Sequence, residues 1–124
     1  MSTADTGAVD DCLFCGIVTG SVPAEIVRRD ERTVAFRDIN PQAPVHVLVV
    51  PTRHIVNAGT VGVDHASDLA ALFVAARAVA DAEGIGGGDR GYRLVFNVGP
   101  DALNSVPHLH AHLLGGRSFD WPPG

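Results

Sequence analysis

The stretch that most limits how this chain can fold runs His108-Leu109-His110-Ala111-His112-Leu113-Leu114 and is closed by Gly115-Gly116. Histidine recurs at every second position with an apolar residue between, which is the side-chain period of a β-strand and not of a helix. On a strand His108, His110 and His112 face one way, while Leu109, Ala111 and Leu113 face the other and pack on a core, which fixes the register. Alternation of polar and apolar residues is ordinary at a sheet surface, but here every polar position is histidine, and these three are half of the six in the chain. Imidazole titrates near neutrality, so three rings on one face point to chemistry. The spacing fits either a nucleophile or a three-histidine metal site with an open coordination position.

The rest of the chain predicts the elements around that strand. Asp11 is placed to cap a short helix through Val18, with Leu13, Phe14 and Ile17 on one face and Gly20 as its stop. Glu25 to Arg29 and Thr33 to Asp38 are strand-like runs separated by Asp30-Glu31, a hairpin signal. Asn40-Pro41-Gln42-Ala43-Pro44 forces a loop. Val45 to Val50 is a β-branched strand ended by Pro51, with His46, Leu48 and Val50 on one face and His54 in the loop beyond. Asp64 to Glu83 carries Leu69, Leu72, Phe73, Ala76, Val79 and Ala80 at helical steps, and Gly84 ends it. Tyr92 to Val98 alternates as a strand with Arg93, Val95 and Asn97 on one face, and Gly99 to Pro107 is a polar loop. This order predicts an α+β fold, a five-stranded antiparallel sheet with one short and one long helix, both helices on one face. Residues 1–10 have no periodic apolar pattern and are expected to form a flexible N-terminal arm, with a single domain over 11–124.

Composition removes several classes of function. The net charge is -5, there is no lysine, and nine arginines carry the side-chain positive charge without forming a basic stripe. Nucleic acid is therefore a poor partner. Without lysine the glycine-rich Ile85-Gly86-Gly87-Gly88-Asp89 is a turn and not a phosphate-binding Walker loop. The long helix is interrupted by Asp68, Arg77 and Asp81, too polar to span a membrane, and the first residues do not read as a signal peptide, so a cytoplasmic location is expected. The only cysteines are Cys12 and Cys15. In a reducing compartment such a pair points to metal or thiols before a structural disulfide.

The histidine strand, taken with Ala35-Phe36-Arg37-Asp38-Ile39-Asn40-Pro41-Gln42-Ala43-Pro44-Val45-His46 and the ending Trp121-Pro122-Pro123-Gly124, resembles the histidine triad superfamily, most closely its Hint branch of purine nucleoside phosphoramidases. The resemblance implies a homodimer whose sheets join across the interface, and a purine nucleotide site. It makes His110 the nucleophile that forms a nucleotidyl-histidine intermediate, its other nitrogen bonded to a main-chain carbonyl, that of His108. His112 then contacts phosphate oxygens, and Asn97 and Ser105 supply donors near the scissile bond and the leaving group. Asp38 holds the ribose hydroxyls, Leu13, Phe14, Ile17, Val22, Phe36, Ile39 and Leu48 map to the base pocket, His46 lines the site, and Trp121 reaches the partner subunit. In relatives with the cysteine pair, a structural zinc is held by the positions of Cys12, Cys15, His54 and His108.

One loop departs from the pattern. Asp101-Ala102-Leu103-Asn104-Ser105-Val106-Pro107 stands where the family more often has glycine-glutamine-serine and an aromatic before the first histidine. The function implied is hydrolysis of the phosphorus-nitrogen bond of purine nucleoside 5′-phosphoramidates, with aminoacyl adenylates as further substrates. The alternatives are a dinucleoside polyphosphate hydrolase and a nucleotide-binding regulator with little turnover.

Overall fold

The computed structural model describes residues 11–124, so the expected N-terminal arm, residues 1–10, lies outside the described residues. The elements are α1 (Leu13–Thr19), β1 (Ile26–Arg29), β2 (Thr33–Arg37), β3 (Val45–Pro51), α2 (Ala66–Ala82), β4 (Tyr92–Val95) and β5 (Ala111–Gly115). The strands form one antiparallel sheet in the order β1-β2-β3-β5-β4. The α+β fold with a five-stranded sheet, one short helix and one long helix is thus as the sequence predicts.

The placing of the helices is not. Ala35, Val47, Val49, Ala111 and Leu113 face α2, where Leu72, Ala76, Val79 and Ala80 meet them. Val34, Phe36, Leu48 and Val50 face α1, against Phe14, Cys15, Ile17 and Val18. The two helices therefore cover opposite faces, and the expectation of one shared face is corrected. The cause lies in β3, which is buried along its whole length. A strand that is apolar on both faces needs cover on both.

Local chemistry sets the ends of α1. Its N-cap is Cys12, not the expected Asp11: the Cys12 Sγ accepts the Cys15 N–H at 3.3 Å. At the other end Gly20 takes the left-handed conformation at φ 87° that a side chain would oppose. A Cβ on Gly16 would stand 2.6 Å from Val22 Cγ2, so the missing side chain lets the chain after α1 fold back on it.

The predicted hairpin forms, with Asp30 accepting from the backbone of Arg32 and Thr33 and from the Thr33 hydroxyl. α2 begins at Ala66, after a 3₁₀ turn at Val63–His65, rather than at Asp64. In its first turn the buried Asp68 pairs with Arg32 at 3.3 Å and Arg53 at 3.4 Å, which ties the helix start to the loops beside β2 and β3.

β4 stops at Val95, short of the expected Val98, and β5 starts only at Ala111. The Leu109 N–H donates to the Ile55 carbonyl, so the segment holding His108 and His110 runs on beside the β3 exit, and residues 96–98 join no ladder. Alternation survives this: Leu109 is buried in the α2-side core while His108 faces the cysteines near α1. Among the described residues no helix is long and apolar enough to cross a membrane.

Leu113 is fully buried in the α2-side core, whereas Val63 is 96% exposed. Leu113→Ala is expected to lower the unfolding free energy in urea by about 2–5 kcal/mol through lost transfer energy and a cavity. Val63→Ala should change it by less than about 0.5 kcal/mol. Comparable losses at the two positions would contradict this core.

Candidate active site and metal centre

The hydrogen-bond partners of the histidines decide which ring nitrogens carry protons. A carbonyl only accepts and a backbone N–H only donates, so each such partner fixes a tautomer. The His110 Nδ1 lies 2.8 Å from the His108 carbonyl and donates to it, which leaves Nε2 as the basic nitrogen. The Gln42 N–H donates to His46 Nδ1 at 3.0 Å, so the proton of His46 sits on Nε2. That Nε2–H donates to His112 Nδ1 at 2.9 Å, with the Asp38 carboxylate farther off at 3.5 Å. His112 therefore carries its own proton on Nε2. One accepting nitrogen and one donating N–H are thus set side by side on rings 5.1 Å apart.

Burial keeps His46 and His112 neutral. His112 is depressed to about 4, first by loss of water and then by the facing His110 and His46, against a smaller opposing pull from Asp38. His46 is lowered by burial, partly offset by Asp38.

Two adjoining cavities flank the rings. One of about 220 Å³ is lined by Asn97, Leu103, Asn104, Ser105, Val106, His110 and His112 together with Phe14, Asp38 and Leu48. The other, of about 290 Å³, is mainly apolar, and its walls include Leu13, Phe14, Ile17, Val22, Phe36, Ile39 and Leu48, with Asp38. Phe14, Asp38 and Leu48 belong to both, so the carboxylate stands at the junction. Asp38 is held there by its own N–H on the His46 carbonyl and by the Asn40 N–H on its Oδ1. A larger depression of about 580 Å³ beside Arg93, Arg117 and Phe119 has no histidine in its walls.

Behind α1 a second cluster forms. Cys12 Sγ and Cys15 Sγ each lie 3.4 Å from His108 Nδ1, Cys15 Sγ is 3.2 Å from His54 Nδ1, and the two Nδ1 atoms are 3.3 Å apart. The cysteines are not joined in a disulfide. His108 is fully buried, and its Nε2–H donates to the Pro51 carbonyl at 2.9 Å, so Nδ1 is bare and aimed at the sulfurs. Burial depresses this imidazole to about 4, with His54 and His110 adding to the effect against the Pro51 bond. Burial also lowers His54, against the pull of Asp11.

Two imidazole nitrogens and two sulfurs converge in one buried knot, the donor set of a closed tetrahedral site. Tetrahedral zinc with sulfur and nitrogen ligands spaces them by about 3.3–3.8 Å, and all four atoms here fall within 4.8 Å of one another. The Pro51 carbonyl supplies the outer-shell acceptor that a metal-binding imidazole needs. The donor set fits zinc.

Residues 19–119 match the sequence model of the HIT domain family. The chain belongs to this family. It is 44% identical over 117 residues to a 14 kDa zinc-binding protein of Zea mays, covering 90% of this chain and 87% of that one. It is 39% identical over 126 residues to the adenylylsulfatase HINT1 of Arabidopsis thaliana, with 98% and 82% coverage. The crystal structure of a HIT family hydrolase from Legionella pneumophila superposes with a TM-score of 0.88 at 47% identity, over 92% of this chain and 100% of that one.

Within this HIT domain, the residues expected at the site are brought together with two exceptions. His46 lies behind His112 and touches it without lining either cavity. Trp121 is 84% exposed on the C-terminal tail and lines neither cavity. The sequence reading missed the Pro51 carbonyl and the Gln42 N–H, which set two tautomers but are main-chain groups with no residue signature. It also gave no role to Leu103 or Asn104, although the loop's departure from the family pattern marked the place.

These pKa directions set the dependence of stability on pH. A histidine whose folded pKa lies below its unfolded value takes up its proton first in the unfolded chain, so stability is level above pH 6.5 and falls as pH drops toward 4. Urea unfolding is expected to show that fall, and His112→Asn should reduce its slope. A stability that rises on acidification through this window would contradict the buried neutral rings.

Proposed function

We propose that this HIT domain hydrolyses the phosphorus-nitrogen bond of purine nucleoside 5′-phosphoramidates, and of aminoacyl adenylates, through a nucleotidyl-histidine intermediate. The observation that carries the reading is the His110 ring, tied by Nδ1–H to the His108 carbonyl, in the wall of a cavity that opens beside an apolar one. On this reading the base occupies the apolar cavity between Leu13, Phe14, Ile17, Val22, Phe36, Ile39 and Leu48, and Asp38 at the junction accepts the ribose hydroxyls. That seats the α-phosphorus before His110 Nε2, whose lone pair attacks it. His112 Nε2–H and Asn97 stabilise the phosphoryl oxygens, and the Ser105 hydroxyl lies by the departing nitrogen. The phosphorus-nitrogen bond breaks, the amine takes up a proton, and water then displaces His110 to release the nucleoside monophosphate.

Zinc is the metal proposed for Cys12, Cys15, His54 and His108. Bound there, it supplies a structural link with deprotonated thiolates and takes no part in the reaction. Phe14, between the two ligand cysteines, packs against the His110 ring at 5.0 Å, so fixing α1 also fixes a wall of the site. Two copies are proposed to join through the unpaired edge of β4, beside the half-exposed Phe73 and Val74 of α2, with Trp121 of the tail docking on the partner.

His110→Ala should abolish turnover of adenosine 5′-phosphoramidate while leaving adenosine monophosphate binding within a few-fold, and an alkaline denaturing quench should trap labelled nucleotide on the native chain but not on the variant. Turnover retained in the variant would remove His110 as nucleophile. Diadenosine tetraphosphate and adenylyl sulfate complete the panel. Faster cleavage of the tetraphosphate would favour the polyphosphatase alternative, and binding without turnover of any of the three would favour the regulator. Metal analysis should find one zinc per chain, lost together with thermal stability in Cys12→Ser and kept in His110→Ala. Metal far below one equivalent in the unsubstituted protein, with both thiols reactive, would contradict the zinc assignment.

A further inference from the structure

The loop between β2 and β3 carries Asp38 at its entry and leads into His46, and its two prolines, Pro41 and Pro44, offer no N–H for bonds of its own. Its tip is held from outside, by two contacts from the β5 exit. Pro44 seats against the backbone of Gly116, where a Cβ would stand 2.9 Å from Pro44 Cβ. The Arg117 guanidinium donates from Nη2 to the Gln42 carbonyl at 3.2 Å. That guanidinium is itself fixed: Nη1 donates to the Ser118 carbonyl at 3.1 Å, and Cζ lies 4.2 Å from the centre of the Phe119 ring. Phe119 is held in turn by Arg93 of β4, whose Cζ is 4.8 Å from the ring centre and whose Nη2 donates to the Asp120 carbonyl at 2.6 Å. Arg117 lines neither cavity beside the histidines and has no part in the reaction steps above.

We infer that Arg117 is a positioning residue for His112, acting through Gln42 and His46. The line of bonds runs from Arg117 Nη2–H to the Gln42 carbonyl, from Gln42 N–H to His46 Nδ1, and from His46 Nε2–H to His112 Nδ1. Without the first bond residue 42 is free to draw back, and His46 Nδ1 loses its donor. His46 then admits its other tautomer, with the proton on Nδ1. In that arrangement its bare Nε2 accepts from a protonated His112 Nδ1, and His112 turns a bare Nε2 to the cavity, with no N–H for a phosphoryl oxygen. Both arrangements keep one N–H···N bond between the rings, so the ring pair by itself favours neither. The Gln42 N–H makes the choice, and Arg117 holds Gln42. Asp38 is anchored separately at the base of the loop, by its own N–H on the His46 carbonyl. The effect on turnover rests on the phosphoramidase reading, whereas the effect on the tautomers does not.

The test compares Arg117→Met with Arg90→Met in the full-length protein. Methionine keeps an apolar stem against Phe119 but has no N–H to donate, and Arg90, in the wall of the same depression, matches the lost charge. Both arginines are exposed, so both variants should melt within about 3 °C of the native chain. With ¹⁵N-histidine labelling at neutral pH, Arg117→Met should bring the bare-Nε2 form of His112 and the Nδ1–H form of His46 to about half of the population. Arg90→Met should keep the native shifts. With adenosine 5′-phosphoramidate, kcat should fall about twofold in Arg117→Met, in step with the lost Nε2–H form, while KM stays close to native because Asp38 keeps its anchor. A loop loosened as a whole would raise KM and leave the tautomers as they are. Native tautomers in Arg117→Met, or the same shift in Arg90→Met, overturn the proposal whatever turnover does. Shifted tautomers confined to Arg117→Met, in a protein that turns over no phosphoramidate, sustain it and overturn the phosphoramidase reading alone.

Discussion

His108 is the residue on which the rest of the site depends. Its side chain is fully buried, its Nε2–H is committed to the carbonyl that ends β3, and its Nδ1 faces both cysteines and His54. Its own carbonyl takes the His110 Nδ1–H. One residue thus joins the β3 exit, the approach to β5 and the start of α1, and sets the proton on the neighbouring ring. The first histidine of the motif acts by position, which leaves the second and third to face the cavity.

The site is a set of imidazole rings held by fixed donors and acceptors. A charged imidazole could serve neither as a nucleophile nor as a metal ligand, and burial is the largest cause keeping His108 and His112 neutral. Burial alone would leave the tautomers open. The Pro51 carbonyl, the His108 carbonyl and the Gln42 N–H close them, so that main-chain geometry decides what each side chain can do. Phe14 joins the two clusters, with its ring 5.0 Å from His110 and 6.2 Å from His108.

Much of this was legible in the sequence. The period of two in His108 to Leu113 assigns the side chains to the correct faces even though only Ala111 onward joins the ladder. Sidedness follows from backbone direction, whereas pairing also needs a partner, and the Leu109 N–H goes to the Ile55 carbonyl. The walls of the apolar cavity came from the resemblance, since Leu13 and Phe36 have no periodicity that would join them. The helix placement was missed because the apolar run of β3 was read for strand propensity and not for what must cover its two faces. Cys12 as N-cap was missed because thiols seldom cap, and here the same sulfur faces a histidine lone pair.

The central claim is that the fold fixes the proton positions of the motif histidines. Long-range nitrogen-proton correlation spectra of protein labelled with ¹⁵N-histidine, at neutral pH, read those positions directly. The account predicts a protonated Nδ1 and bare Nε2 on His110, with the reverse on His112. A protonated Nε2 on His110, or an imidazolium at His112, would contradict it.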